Sequence, residues 1–263
     1  MMLSQKVRCL MCGFVQKGEI YDCCPKCKAS SIHYERYGLD KLKRWITFDV
    51  DSLFVSMKNT LYSNLFDWYY SVDTKEMVTK KELNVNNSSR FDMFAVYYAA
   101  AHFTTIHKAL SLLPLDKTVS TLLDLGSGKG RVLMYALLYG YQNVIGVEYS
   151  KKLTAITNKN LLLFDKDRKY NYEVINKDAS EYMIDPNVDA VFMFNPFLGL
   201  ILDLVVKNII QASKNKDIYV IFVNQKESLP HQFTPYYVVN DKTIIYKITS
   251  GSSLVEGVDE IYK

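Results

Sequence analysis

The chain contains few glycines and prolines, the residues that are abundant in proteins without a packed core. Its 263 residues include only 11 glycines and 6 prolines, and 23% of them are charged. This composition excludes collagen-like, mucin-like and disordered chains. Hydrophobic residues make up 49% of the sequence, with 20 tyrosines and 13 phenylalanines, so the apolar area for a large core is present. The length fits one substantial domain and at most a small accessory module.

Cysteine is absent after Cys27, and all five cysteines lie within the first 27 residues. A secreted disulfide scaffold distributes its cysteines to join distant loops, so this clustering favours a metal site in a reducing compartment. Long hydrophobic runs are also lacking. Met1–Cys12 has no apolar core of a signal peptide. Ala190–Val206 is interrupted by Asn195-Pro196 and Asp203, and it falls short of the roughly 20 residues of a spanning helix. These absences predict a cytoplasmic protein that does not enter membranes.

Two Cys-x-x-Cys pairs, Cys9 with Cys12 and Cys24 with Cys27, are separated by eleven residues. Each pair forms a knuckle turn that aims two thiolates at one point, so the four thiolates predict a tetrahedral zinc site. Cys23 is spare, because only Cys24 gives the two-residue spacing to Cys27. A closed four-thiolate site leaves no open coordination position, which assigns the zinc a structural role.

The stretch Arg8–Tyr34 resembles rubredoxin-type ribbons, above all in Cys12-Gly13-Phe14-Val15 and Cys24-Pro25-Lys26-Cys27. The resemblance implies a small zinc ribbon over residues 1–36. An iron site for electron transfer is the alternative, but Lys28 stands where the glycine after the last cysteine is expected.

Basic charge is concentrated at the N-terminus. Residues 1–44 hold nine Lys and Arg against four Asp and Glu, whereas the rest of the chain holds 23 against 24. An overall charge of +4 is too small to indicate a nucleic-acid binder by itself. The ribbon therefore either stabilises a segment that is too small to form its own core, or acts as a basic docking arm for a nucleic acid or protein substrate. The side chains of such an arm would be Lys6, Arg8, Lys17, Lys26, Lys28 and Arg36.

Residues 37–118 are predicted to form a helical extension. Apolar residues recur at helical spacing across Val50–Tyr70, which predicts one helix. A second is expected from Phe91 to about Leu113, with Ser88 or Ser89 as its cap and Pro114 as its stop. Tyr97 and Tyr98 lie on this second helix, where an aromatic pair more often belongs to the core than to a site.

Residues 119–263 alternate between strand and helix signals, which predicts an α/β domain with a parallel sheet covered on both faces. The tail, Pro235–Val239 and Thr243–Ile248 around a turn at 240–242, predicts an antiparallel hairpin at the sheet edge. The other predicted strands are Thr121–Leu125, Val144–Glu148, Tyr172–Asn176, Asp189–Phe194 and Ile218–Val223. The predicted helices are Arg131–Tyr139, Lys151–Phe164 and Leu198–Ser213.

A glycine loop, residues 124–130 (DLGSGKG), follows the first predicted strand and opens a helix. Glycines let the backbone turn sharply and approach a ligand, and the helix N-terminus offers unpaired N–H groups. The spacing is Gly-x-Gly-x-Gly, which differs from the Gly-x-Gly-x-x-Gly of nicotinamide-binding loops. The carboxylate of Asp124 at the strand end suits a cationic ligand and repels a pyrophosphate. A dinucleotide-binding or non-catalytic Rossmann-like domain stays the alternative.

Three further strand ends carry polar groups at the same sheet edge, where open α/β sheets bind ligands. Glu148 ends the second strand and can accept hydrogen bonds from both hydroxyls of a ribose. Asp178-Ala179 follows the third strand, where the aspartate can receive an exocyclic adenine amine. Asn195-Pro196-Phe197 follows the fourth.

Together these motifs are similar to the successive motifs of class I S-adenosylmethionine-dependent methyltransferases, over about residues 118–250. Residues 123–132 look closest to a bacterial branch related in motif to the non-SET histone-lysine enzymes, and Tyr70–Thr74 with Glu82-Leu83 extend the likeness to about residue 66. The resemblance implies a Rossmann-like seven-stranded sheet with an antiparallel last strand, bound S-adenosylmethionine, and a helical extension that caps the cofactor. The cofactor residues that it implies are Asp124, Gly126, Ser127, Gly128, Gly130, Glu148, Tyr149, Asp178, Ala179 and Asn195.

Asn195-Pro196-Phe197 resembles the Asn-Pro-Pro-Phe/Tyr motif of amino-methyltransferases, and the resemblance implies that these three residues are catalytic. Asn195 would orient the acceptor amine and Phe197 would pack on the acceptor. One proline is missing here, so Phe197 stands one position early and the acceptor stays open: a protein, an RNA or a small molecule. The alternative function is a non-catalytic cofactor-binding scaffold whose zinc ribbon docks nucleic acid or protein.

We expect one zinc ion per chain, bound by Cys9, Cys12, Cys24 and Cys27. Elemental analysis should find the metal in the wild-type protein and in Cys23→Ser, and should find it lost in Cys9→Ser. The protein should be colourless, because an iron–thiolate centre would make it red. Retention of metal by Cys24→Ser together with loss by Cys23→Ser would show that Cys23 is the ligand.

Overall fold

The computed structural model describes residues 6–9, 15–17, 34–37, 50–75, 78, 99–194, 197, 199–240 and 242–251. The chain divides into two compact units, Met1–Lys58 and Asn59–Lys263. In the first unit, strands β1 (Lys6–Cys9), β2 (Val15–Lys17) and β3 (Tyr34–Tyr37) form an antiparallel sheet in the order β2-β1-β3. The predicted domain boundaries at residues 36 and 118 remain predictions.

The second unit is built on a seven-stranded sheet in the order β6-β5-β4-β7-β8-β10-β9. Strand β10 runs antiparallel to both of its neighbours, while β4 to β8 pair in parallel. The predicted sheet, including its closing antiparallel hairpin, is thereby confirmed. The strands are β4 (Thr121–Leu125), β5 (Asn143–Glu148), β6 (Asn171–Asn176), β7 (Val188–Phe194), β8 (Ile218–Val223), β9 (Thr234–Asn240) and β10 (Thr243–Ile248).

Helices cover both faces of this sheet, because successive residues of a strand point to opposite sides. Leu122 of β4 belongs to one buried core and Leu123 to the other. The first core contains the buried side chains of helices α2 (Phe103–Ser111), α3 (Arg131–Leu138) and α4 (Lys151–Phe164), and the second contains those of α5 (Leu200–Ala212). Two-sided burial explains why the central strands β7 and β8 are nearly continuous apolar runs.

The apolar stretch Ala190–Val206 is divided between two elements: its first part belongs to strand β7 of the sheet, and its last part belongs to helix α5, which covers the sheet. Helix α5 begins at Leu200, two residues after the predicted start. Among the residues described by the structure, no helix has both the length and the apolarity needed to cross a membrane.

Helix α1 (Val50–Tyr70) has the predicted bounds, but its burial is the reverse of what the apolar spacing suggests. Its buried side chains include Asn59, Ser63 and Asp67, whereas Leu65 is 51% exposed and Trp68 is 77% exposed. Thr104 supplies hydrogen bonds to Asn59 and Thr74 supplies them to Asp67, so the burial of these two side chains carries little desolvation cost.

The predicted helix from Phe91 to Leu113 is wrong in its start: residues 99–102 are not helical, and α2 begins at Phe103. The Oδ1 atom of Asn59, which is 45 residues away, accepts hydrogen bonds from the backbone N–H (3.4 Å) and hydroxyl (2.9 Å) of Thr104. This distant side chain satisfies a free N–H of the first helical turn, which a local cap usually does. Residues 91–98, with Tyr97 and Tyr98, lie outside the described residues.

Candidate functional site

The glycine loop turns through three left-handed residues, Gly126 (φ 82°), Gly128 (φ 57°) and Gly130 (φ 82°). Residues that carry a Cβ rarely adopt these backbone angles, so the conformation of the loop requires glycine at these positions. A Cβ at Gly130 would also lie 2.7 Å from Cγ2 of Thr157, which leaves no room for one. The backbone N–H of Gly126 donates to the carbonyl of Val147 (2.8 Å), which ties the loop to the end of β5.

Two carboxylates are buried at adjacent strand tips, Asp124 in β4 and Glu148 in β5. Oε2 of Glu148 accepts the backbone N–H of Gly128 (2.9 Å), and Oε1 accepts that of Ser150 (2.8 Å). No donor among the described residues reaches the carboxylate of Asp124. Burial raises the pKa of Asp124 well above its ordinary value, and the neighbouring Glu148 raises it further. Burial also raises the pKa of Glu148 to about 7, against the lowering effect of its backbone hydrogen bonds.

The two cationic side chains beside Gly130, those of Lys129 and Arg131, bind protein groups. Nζ of Lys129 lies 2.8 Å from Oδ2 of Asp73. Nε of Arg131 donates to Oγ1 of Thr74 (2.9 Å), and its Nη1 donates to the carbonyl of Ala101 (3.0 Å). Both side chains are buried, so neither stands ready for a phosphate as the lysine of a P-loop does.

Ser127 contributes to the loop through its backbone, whose N–H donates to the carbonyl of Val147 (3.1 Å). Its hydroxyl faces the interior: Oγ lies 2.9 Å from the position of a Cβ added to Gly146, close to Leu133 of α3. This Oγ atom is buried and has no hydrogen-bond partner among the described residues.

The loop after β6 carries Asp178 and Ala179, which the sequence assigns to the adenine. Oδ1 of Asp178 accepts both the backbone N–H (2.8 Å) and the hydroxyl (2.6 Å) of Ser180, so the aspartate shapes its own turn. Ala179 packs in the core beside α5. Tyr149, one residue after Glu148, is half exposed at the neighbouring strand tip.

Side-chain amides that the sequence analysis missed anchor these loops. Nδ2 of Asn176 donates to the carbonyls of Glu148 (2.9 Å) and Tyr149 (2.8 Å). Nδ2 of Asn208 donates to the carbonyls of Ser180 (2.9 Å) and Tyr182 (3.1 Å). Lone asparagines carry no motif, so no sequence signal marks these two.

The tip of β7 is described only in part. Asn195 and Pro196 lie outside the described residues, while Phe197 is partly buried against the core beside α5. Two residues later, the N–H of Gly199 donates to both carboxylate oxygens of Glu227 (3.1 Å each), which caps the start of α5. Glu227 is a further residue at this edge that the sequence analysis missed.

No metal site is found in the part of the chain that the structure describes: no three or more His, Cys, Asp or Glu side chains there are grouped to hold an ion. The side chains of the four predicted zinc ligands lie outside that part, so the zinc site remains a prediction.

A cavity of about 660 Å³ lies apart from the glycine loop and is mainly aromatic. None of its lining side chains is a carboxylate, and none belongs to a strand tip, which separates it from the candidate cofactor site. The lining residues are Tyr62, Leu65, Phe66, Trp68, Tyr69, Tyr70, Phe103, Thr104, His107 and Tyr135.

No protein-family model matches the chain, and no curated protein matches it. Among solved structures, it resembles the RNA methyltransferase from Salinibacter ruber in complex with S-adenosyl-L-homocysteine, with 19% identity over 61% of this chain and 99% of that one, and a TM-score of 0.47. It also resembles a SAM-dependent methyltransferase from Thiobacillus denitrificans in complex with S-adenosyl-L-homocysteine, with 19% identity over 45% of this chain and 48% of that one, and a TM-score of 0.38.

The raised pKa of Glu148 predicts a pH-dependent stability. The folded protein holds this proton more tightly than the unfolded chain, so the free energy of unfolding should fall as pH rises from about 4.5 to about 7. Glu148→Gln lacks this contribution, and the wild type should lose about 2–4 kcal/mol more than the variant across that range. Urea denaturation at a series of pH values measures the difference. The exposed Glu181→Gln serves as control, and parallel curves for wild type and Glu148→Gln would contradict the assignment.

Proposed function

We propose that this sheet edge binds S-adenosylmethionine and that the chain transfers its methyl group to an amino nitrogen of an acceptor. The observation that carries the proposal is the buried carboxylate of Asp124, which no donor among the described residues reaches. Buried carboxylates are paired or become neutral, so such a group suits a ligand that brings its own cation. The ammonium group of a methionine moiety is a cation of this kind, and its hydrogen bond to Asp124 would be charge-assisted.

The remaining groups at the edge suit the nucleoside part of the same ligand. Each oxygen of Glu148 accepts one backbone N–H and has a second lone pair with which to accept a ribose hydroxyl. Oδ2 of Asp178, which receives no hydrogen bond from the described residues, can accept the adenine amine. The side chains of Lys129 and Arg131 are engaged elsewhere, which disfavours the pyrophosphate of a dinucleotide.

When bound, S-adenosylmethionine would supply a methyl group on a positively charged sulfur. A neutral amine would take this group by in-line attack as the bond from carbon to sulfur breaks, S-adenosylhomocysteine would be the leaving group, and the methylated amine would lose a proton. The chain therefore has to position and desolvate the acceptor rather than activate the methyl group. Asn195 is proposed to hold the amine hydrogens with its side-chain oxygen, with Pro196 fixing the turn and Phe197 packing on the acceptor. The partly buried position of Phe197, just before the start of α5, is compatible with that role.

The basic N-terminal segment favours a second candidate function, in which the chain binds the cofactor without catalysis and docks nucleic acid or protein through its zinc ribbon. The same ribbon could deliver an acceptor to an active enzyme, with zinc only as a structural ion. Methyl-label transfer into separated RNA, protein and small-molecule pools distinguishes the two, because the scaffold would label none of them.

Asp124→Asn should weaken the binding of S-adenosylhomocysteine by about ten- to a hundredfold, because a charge-assisted hydrogen bond contributes about 1.5–3 kcal/mol. Calorimetric titration measures the change. The matched control is the exposed Asp116→Asn, which should bind as the wild type does. Equal affinity of Asp124→Asn and wild type would contradict the assigned role.

Asn195→Ala should separate chemistry from cofactor binding. Its affinity for S-adenosylhomocysteine should stay within a few-fold of the wild type, while methyl transfer to the acceptor found by labelling should slow by about ten- to a hundredfold. The physical reason is that one orienting hydrogen bond to the amine is lost. Turnover at the wild-type rate would leave Asn195 as a strand terminator and would remove the support for an amino acceptor.

A further inference from the structure

A short segment after helix α1, residues Val72–Thr74, is fixed against the glycine loop; it is called the strap below. A left-handed Ser71 (φ 58°) follows helix α1, and the N–H of Val72 donates to the carbonyl of Asp67 (3.0 Å), which turns the chain sharply. The carboxylate of Asp67 then accepts the backbone N–H (3.0 Å) and hydroxyl (2.6 Å) of Thr74. The strap is thus held by the helix that precedes it.

One side chain joins the strap to the loop. Nδ2 of Asn160, on α4, donates to the carbonyls of Asp73 (2.8 Å) and Lys129 (3.0 Å), and its Oδ1 accepts the N–H of Asp73 (3.1 Å). One turn earlier on α4, Oγ1 of Thr157 donates to the carbonyl of Gly128 (2.6 Å). Asn160 is 2% exposed, so these hydrogen bonds lie in a water-poor environment where a lost partner is costly.

Charged side chains join the same two segments. Nζ of Lys129, 2% exposed, lies 2.8 Å from the carboxylate of Asp73, which is 49% exposed. Arg131 reaches the hydroxyl of Thr74. These contacts meet the chain at Lys129 and Arg131, directly beside Gly128 and Gly130 of the predicted cofactor site.

We propose that Asp73 and Asn160 are positioning residues of the cofactor site, which act through Lys129 to hold the glycine loop in its ligand-binding conformation. The inference rests on the proposed function. Contacts that hold the loop in its ligand-binding conformation raise its affinity for the ligand. By thermodynamic linkage, a bound ligand stabilises the contacts between strap and loop by the same factor. The strap should then become more protected when the cofactor product binds, although it need not touch the ligand.

Two measurements test the proposal. Calorimetric titration with S-adenosylhomocysteine should show about tenfold weaker binding for Asp73→Asn and for Asn160→Asp. The double variant Asp73→Asn with Lys129→Met should bind no more weakly than Lys129→Met alone, because the two side chains act as one unit. Hydrogen exchange of the wild type should show slower exchange at the amides of Asp73 and Thr74 after the ligand is added.

The matched controls separate positioning from general damage. Asn158→Asp makes the same change at an exposed position of α4, and Asp167→Asn breaks the exposed ion pair with Lys169; both should bind as the wild type does. Binding within twofold of the wild type by Asp73→Asn and Asn160→Asp overturns the proposal. If Asn160→Asp does not fold, unchanged exchange of the wild-type strap on ligand addition overturns it equally. A wild type that binds no S-adenosylhomocysteine overturns the proposed function, and this inference with it.

Discussion

The burial of two carboxylates at adjacent strand tips is the constraint on which the candidate site depends. Asp124 and Glu148 lie side by side on β4 and β5, and burial raises the pKa of both. Glu148 is compensated by two backbone N–H groups, one of them from the glycine loop, whereas no donor among the described residues reaches Asp124. We therefore propose that the edge binds a ligand that donates hydrogen bonds and carries positive charge.

Side-chain amides hold the loops around these carboxylates in place. Asn160 holds the glycine loop, Asn176 holds the turn after β5, and Asn208 holds the turn after β6. Each amide donates to two backbone carbonyls and so joins two points of the backbone near the core. The arrangement orders the loops before any ligand arrives, so less conformational entropy is lost on binding.

The elements of the second unit could be predicted closely because local signals determine them. Strands β4 and β8 and helix α4 have the predicted bounds, since apolar runs, the glycine loop and the cap at Ser150 all lie within a few residues of each end. The start of α2 could not be predicted, because Asn59, 45 residues away, satisfies its first turn. The strap's partner Asn160 is 87 residues from Asp73, and no spacing rule reaches that far. The inward face of α1 was missed because its polar residues are satisfied from outside the helix: Asn59 by Thr104, 45 residues away, and Asp67 by Thr74, seven residues further along.

We propose that this edge selects an amino-acid-bearing adenosine ligand over a dinucleotide. Calorimetric titration of the full chain with S-adenosylhomocysteine and with NAD⁺, under the same conditions, tests it most directly. We expect micromolar affinity for S-adenosylhomocysteine and affinity at least about a hundredfold weaker for NAD⁺, a difference of about 2.7 kcal/mol. Tighter binding of NAD⁺, or equal binding of the two, would contradict it.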